Sequence, residues 1–169
     1  MFYGKRPDGM GRMVMTVKED IKKRLERSRP TRVFNYNHAE GRIGVMVELE
    51  SDTDFALRND LTKDFAHELC LQICSMNPNF LSFDKISTKI SLSITNSIEQ
   101  EVYLQHQSKP DNIRAKIYDG KFKSWKKENC LLDQHWAKDG TVVIGEMLSE
   151  LCEKLGETVE ILRFARFGK

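Results

Sequence analysis

The chain has 169 residues, of which 40% are hydrophobic and 31% charged, with 27 Lys and Arg against 25 Asp and Glu for a net charge of +2. That length suits one domain, or one domain plus an arm, and the balance is that of an ordinary globular protein, neither disordered nor built for a membrane. A net charge this small gives no argument for nucleic acid by overall field, so nucleic acid is not an expected partner, any basic surface must be local, and an RNA contact by the basic arm is only a third, weaker reading.

Residues 1–15 mix Gly4, Pro7, Gly9 and Gly11 without period 2 or period 3.6, which predicts a flexible arm. Thr16 and Glu19 then form a capping box, and Val17, Ile21 and Leu25 draw a thin apolar stripe among Lys18, Lys22, Lys23, Arg24 and Arg27. A short basic helix ending before Pro30 is expected, so that residues 1–30 make a basic arm and 31–169 the core domain.

From Thr31 the pattern changes to alternation: Phe34, Tyr36 and His38 alternate with Asn35 and Asn37, and beyond Ala39-Glu40-Gly41 the residues Ile43, Val45, Val47 and Leu49 share one face. That predicts a β-hairpin. Its second strand ends in Glu50-Ser51-Asp52-Thr53-Asp54, a cluster of turn and N-cap residues opening a helix whose stripe is Leu61, Phe65, Leu69 and Ile73 and which stops near Asn77-Pro78. Ile86, Ile90, Ile94, Ile98 and Val102 recur every four residues and describe one long helix with a drifting stripe, ending near Pro110. A further helix should start at Pro110 and break at Gly120, another should carry Phe122 and Trp125, and a last one should span Val142–Leu155 and close on Gly156. The β-formers from Thr158 to Phe167 should return as a strand beside the hairpin. The expected fold class is α+β, a small antiparallel sheet of hairpin plus C-terminal strand covered by about four helices, with one sheet face and an edge left open to a partner.

No secretory leader opens the sequence, and Cys70, Cys74, Cys130 and Cys152 lack paired spacing, which predicts a reducing compartment. Apolar runs such as 43–49 fall far short of the roughly 18 residues that cross a bilayer, so no membrane is expected. His67, Cys70 and Cys74 share one helix face, but no fourth ligand or short-loop spacing accompanies them, and no metal or other cofactor is expected. Trp125 and Trp136 read as core residues rather than platforms for nucleic-acid bases.

The segment Arg42-Ile43-Gly44-Val45-Met46-Val47-Glu48-Leu49 running into Thr53-Asp54-Phe55-Ala56-Leu57-Arg58-Asn59 resembles elongation factor Ts. Tyr36-Asn37-His38 is similar to that family's Tyr-x-His, Met76-Asn77-Pro78 with Leu81-Ser82 to its helix exit, and Lys109-Pro110 with Ile113 to its Gly-Lys-Pro segment. Cys130-Leu131-Leu132 with Gln134, Gly156-Glu157 and the closing Arg163-Phe164 and Arg166-Phe167 follow in the same order, so the resemblance runs from about 31 to 169. Ala56 stands where the family usually has Val, Ser108 where it has Gly, and His135-Trp136 where it has Pro-Phe. The form resembled is the short, single-repeat one without the ubiquitin-associated-like N-terminal domain.

The resemblance implies a translation factor that promotes GDP release from elongation factor Tu without covalent chemistry, and hence not an enzyme in the covalent sense. It implies that Asp54 and Phe55 are pushed into the nucleotide domain of the GTPase, that Thr53, Arg58, Asn59 and His38 contribute to the contact, and that the protein forms a two-fold homodimer. It places the protein in a bacterial cytoplasm, or in an organelle matrix or stroma. Read without the family, Thr53 or Asp54 would cap the next helix and Phe55 would join the core. The competing function is a non-catalytic paralogue that docks on elongation factor Tu, or on another partner, without releasing nucleotide.

Overall fold

In a computed structural model, which describes residues 29–168, the two predicted hairpin strands are β1 (Thr31–His38) and β2 (Ile43–Ser51), paired antiparallel from Thr31 opposite Glu50 to His38 opposite Ile43. The C-terminal strand β3 (Val159–Phe167) joins the other edge of β2, also antiparallel, giving the order β1-β2-β3. A register irregularity at Glu48/Leu49 interrupts this second pairing. The basic arm and helix expected over residues 1–30 lie outside the described residues, except for Arg29 and Pro30.

Alternation decides which face is covered. Val45, Val47 and Leu49 point inward and are buried together with Val159 and Ile161, whereas Val33, Met46 and Phe167 on or beside the other face stay about half exposed. Five helices follow β2 among the described residues: α1 (Asp54–Arg58), α2 (Asp60–Met76), α3 (Thr88–Gln105), α4 (Asp111–Asn129) and α5 (Ile144–Leu155). The architecture is the expected α+β fold. Helix α2 lays Phe65, Ala66, Leu69 and Ile73 on the inward sheet face, and Leu57 of α1 and Ile144 and Leu151 of α5 complete the same cluster. Each such aliphatic or aromatic side chain contributes about 1.5 to 3 kcal/mol on burial, so the core fixes where the sheet ends.

Two local expectations are corrected. Leu61, placed on the core stripe of α2, is 44% exposed, and on α3 only Ile98 and Val102 are buried while Ile90 is 46% exposed. A four-residue spacing overshoots a helical turn by about 40°, so three steps carry a stripe about 120° off its packed face. Gly120 does not break a helix: α4 runs through it from Asp111 to Asn129. The penalty of about 1 kcal/mol for a helical glycine is outweighed because residues beyond it pack on the loop before α3. Phe122 stands edge-on to Phe83 at 4.8 Å, and Trp125 meets Phe83 and Phe80 at 6.0 Å.

Between α4 and α5 the chain is held by buried amides rather than by regular structure. Gln72 of α2 donates to Gln134 Oε1 and to the carbonyl of His135, both at 3.1 Å, and accepts from Ala137 N–H at 2.8 Å. Trp136, half-buried, packs against the core as expected of it.

Candidate functional site

Where β2 leaves the sheet, the backbone must turn into a helix only five residues long, and a single turn does not hold itself together in water. Thr53 solves the first part of that problem. Its backbone is extended (φ −130°, ψ 153°) and its Oγ1 accepts from the Ala56 N–H at 3.3 Å, so Thr53, and not Asp54, is the N-cap. Asp54 opens the first turn, where a carboxylate favours the positive end of the helix dipole, and pairs with Arg58 one turn on at 2.7 Å.

The far end of α1 is tied by groups from other elements. The buried Thr62 hydroxyl donates to the Ala56 carbonyl at 2.6 Å, and Arg32 of β1 donates from Nη1 to the Leu57 carbonyl at 3.2 Å. Asn59 closes α1 and starts α2: its N–H donates to the carbonyls of Phe55 and Ala56, and its Oδ1 accepts from Leu61 N–H at 3.0 Å. One residue therefore serves as the joint between two helices.

With both ends fixed, the side chains of α1 are divided sharply. Ala56 is 1% and Leu57 0% exposed, while Phe55 is 73% exposed, so the aromatic ring is not consumed by its own core. Thr31, Arg32, Asp54, Arg58 and Lys63 line an open groove beside it, four of them charged. Nearby acids are held ionised: hydrogen bonds from Thr158, backbone first, and then the Arg29 charge lower the pKa of Asp52, and the Lys63 ammonium lowers that of Asp60. The arrangement presents an exposed apolar ring on a turn that also carries the Asp54–Arg58 pair, and such a ring has apolar area still to bury.

Thr53, Asp54, Phe55, Arg58 and Asn59 are thus brought together, but His38 is not among them. It sits at the hairpin tip, separated from the α1 end by the length of β2, roughly 25 Å at about 3.3 Å per residue. There the Tyr36 hydroxyl lies 3.2 Å from His38 Nδ1, and the Tyr36 ring meets His67 of α2 edge-on at 5.6 Å. The turn itself is strained, with Ala39 and Glu40 at φ 48° and 57° ahead of Gly41 at 87°. His67 faces that tyrosine, and Cys70 is buried in the core cluster, which pushes its thiol up to about 11.

The turn cluster is held by partners that its own neighbourhood does not announce. Three consecutive positions, Ser51, Asp52 and Thr53, are bonded to Glu157 and Thr158 just ahead of β3, more than a hundred residues away. No local periodicity reports such a pairing; only the expectation that the C-terminal strand returns beside the hairpin hints that the two loops meet.

A model of the Elongation factor TS family matches residues 7–169. Among curated relatives, the elongation factor Ts of Desulfosudis oleivorans is 37% identical over 139 residues, covering 80% of this chain and 68% of that protein. The elongation factor Ts of Thermoanaerobacter sp. strain X514 is 35% identical over 134 residues, covering 79% of this chain and 65% of the relative. That of Fervidobacterium nodosum is 32% identical over 137 residues, covering 79% and 67%. The chain spans about two thirds of the length of the curated relatives it matches.

Proposed function

This chain belongs to the elongation factor Ts family, and we propose from that premise that it promotes GDP release from elongation factor Tu by inserting Phe55, steered by Asp54, into the nucleotide domain of the GTPase. The observation that carries the reading is the 73% exposure of Phe55 beside the buried Ala56 and Leu57. An exposed phenylalanine on a tethered turn has its burial energy still to give, about 1.5 to 3 kcal/mol, and that energy is realised only on association.

Used to separate elements around the phosphate site, the same energy offsets the loss of nucleotide contacts. Coupling between two ligands is reciprocal: if this protein weakens GDP on the GTPase, GDP weakens this protein by the same factor, and exchange passes through a ternary complex. Nothing covalent is made or broken, so the residues act by position and charge alone. Arg58 and Asn59 frame the ring, Thr53 caps the turn, and His38 makes a second contact from the far end of the sheet. Residues 31–169 form the working core, acting in the compartment of translation, a bacterial cytoplasm or an organelle matrix or stroma.

We also propose a two-fold homodimer. Its support is the open sheet face, where the exposed Val33 and Met46, with Phe167 at its edge, flank the Glu48–Arg163 ion pair and make a mixed surface able to meet its own copy.

The test is stopped-flow release of a fluorescent GDP from elongation factor Tu. Phe55→Ala should leave thermal unfolding unchanged and slow catalysed release by about tenfold to a hundredfold, the range expected for one buried aromatic. Release at the parental rate would overturn the reading. If the parent chain itself is captured by the GTPase yet does not accelerate release, the protein is a docking paralogue and not an exchange factor.

A further inference from the structure

The short helix that carries Phe55 has little support of its own on its leading side beyond the Thr53 cap. Helix α1 is a single turn, its first N–H groups need acceptors, and the residue ahead of it is extended rather than helical. What fixes that side comes from the far end of the chain. Helix α5 ends on Gly156 in the left-handed region (φ 67°), the conformation that reverses the chain toward β3 and brings the next residue, Glu157, over the root of α1. Glu157 Oε2 accepts from the Thr53 hydroxyl at 2.6 Å. Beside it, Asp52 Oδ2 accepts from Thr158 N–H at 3.0 Å, Asp52 N–H donates to the Thr158 carbonyl at 3.3 Å, and the Ser51 hydroxyl donates to the same carbonyl at 2.9 Å.

The Thr53 hydroxyl has one proton and must choose where to send it. Donated toward the Glu157 carboxylate, the proton points away from the oxygen lone pair that accepts from Ala56 N–H, the bond that defines the N-cap. The charge-assisted bond also polarises the hydroxyl and strengthens its acceptance. Glu157, Thr53 and the Ala56 N–H thus form a directional chain whose end is the backbone that aims Phe55. The Thr53–Glu157 bond is solvent-exposed, so deleting it loosens the turn without opening the core.

We propose that Glu157 is a positioning residue for the Phe55 element, acting through the Thr53 hydroxyl to hold the ring in the one orientation that displaces nucleotide. This rests on the reading of Phe55 as the exchange element. A loosened ring still docks through the remaining surface, so the loss falls on the rate of nucleotide release within the complex rather than on complex formation.

The experiment titrates the full-length chain against elongation factor Tu loaded with fluorescent GDP and reads two quantities, the limiting release rate and the half-saturating concentration. Glu157→Ala should lower the limiting rate about tenfold, the size of one charge-assisted hydrogen bond, with half-saturation within about twofold of the parent and the protein still folding cooperatively, its Tm lowered by no more than a few degrees. Glu157→Gln, which keeps an acceptor for the Thr53 hydroxyl, should recover most of that loss. A cycle with Thr53→Val guards against a variant that merely folds poorly: the double variant should be no slower than Thr53→Val alone, because that change already removes the bond to Glu157 together with the cap on Ala56 N–H. A limiting rate within about twofold of the parent in Glu157→Ala, or losses that multiply in the double variant, would overturn the proposal while Phe55→Ala still fails to release GDP. If Phe55→Ala itself releases GDP normally, the underlying reading falls first and this inference falls with it.

Discussion

The two ends of the three-stranded sheet are built on opposite plans. At the hairpin tip, His38–Ile43, the turn is held by bonds between near neighbours, Gly41 N–H to the His38 carbonyl and Arg42 N–H to the Ala39 carbonyl, and it carries two non-glycine residues in the left-handed region. At the α1 end local caps are joined by remote supports: Glu157 and Thr158 hold residues 51–53, Arg32 holds Leu57, and Arg29 reaches Asp52 at 2.8 Å. A locally held turn can sample alternatives at small cost, whereas a turn fixed by residues a hundred positions apart is rigid only while the whole fold is formed. Under the proposed function, a ring that displaces something else needs the second kind of support.

The comparison breaks most violently inside α1. Leu57→Ala removes a fully buried side chain and should cost about 2 to 5 kcal/mol in urea unfolding, taking the exposed ring's scaffold with it, although Phe55 two positions away is dispensable for stability.

Acid should reach the α1 end next. Because the folded-state pKa of Asp52 lies below its usual 3.8, the carboxylate contributes stability that is complete above about pH 4 and is lost as pH falls through that depressed folded value. Urea unfolding at pH 5 and pH 3 should therefore show a smaller drop for Asp52→Asn than for the parent; equal drops would mean that the Thr158 and Arg29 contacts do not hold the turn.

The smallest effect belongs to the hairpin tip and has the opposite sign. Glu40→Gly relieves a left-handed non-glycine residue and should stabilise by about 0.5 to 1 kcal/mol. A loss of stability there would show that the Glu40 side chain supports the tip.

Much of this layout is legible in the residues. The alternation of Ile43, Val45, Val47 and Leu49 gave the central strand and its inward face, Gly156 marked the end of α5, and Thr53-Asp54 announced an N-cap. The exposure of Phe55 was not legible from its own neighbourhood, since a phenylalanine after a cap more often turns inward; it followed only from resemblance to the elongation factor Ts family. Leu61 and Gly120 misled for related reasons. A four-residue stripe leaves its packed face after a few turns, and a glycine ends a helix only when nothing beyond it has a place to pack.

Short-range chemistry was therefore set by the sequence itself: strand alternation, caps, left-handed glycines and the composition of the core all act within a few residues, where the side chains alone decide the cheapest conformation. Which side chain remained outside, and which distant carboxylate would hold its turn, was decided by the tertiary structure. Leu57 and Ala56 fill the space under α1 and leave Phe55 none, and Glu157 reaches Thr53 only because β3 pairs with β2.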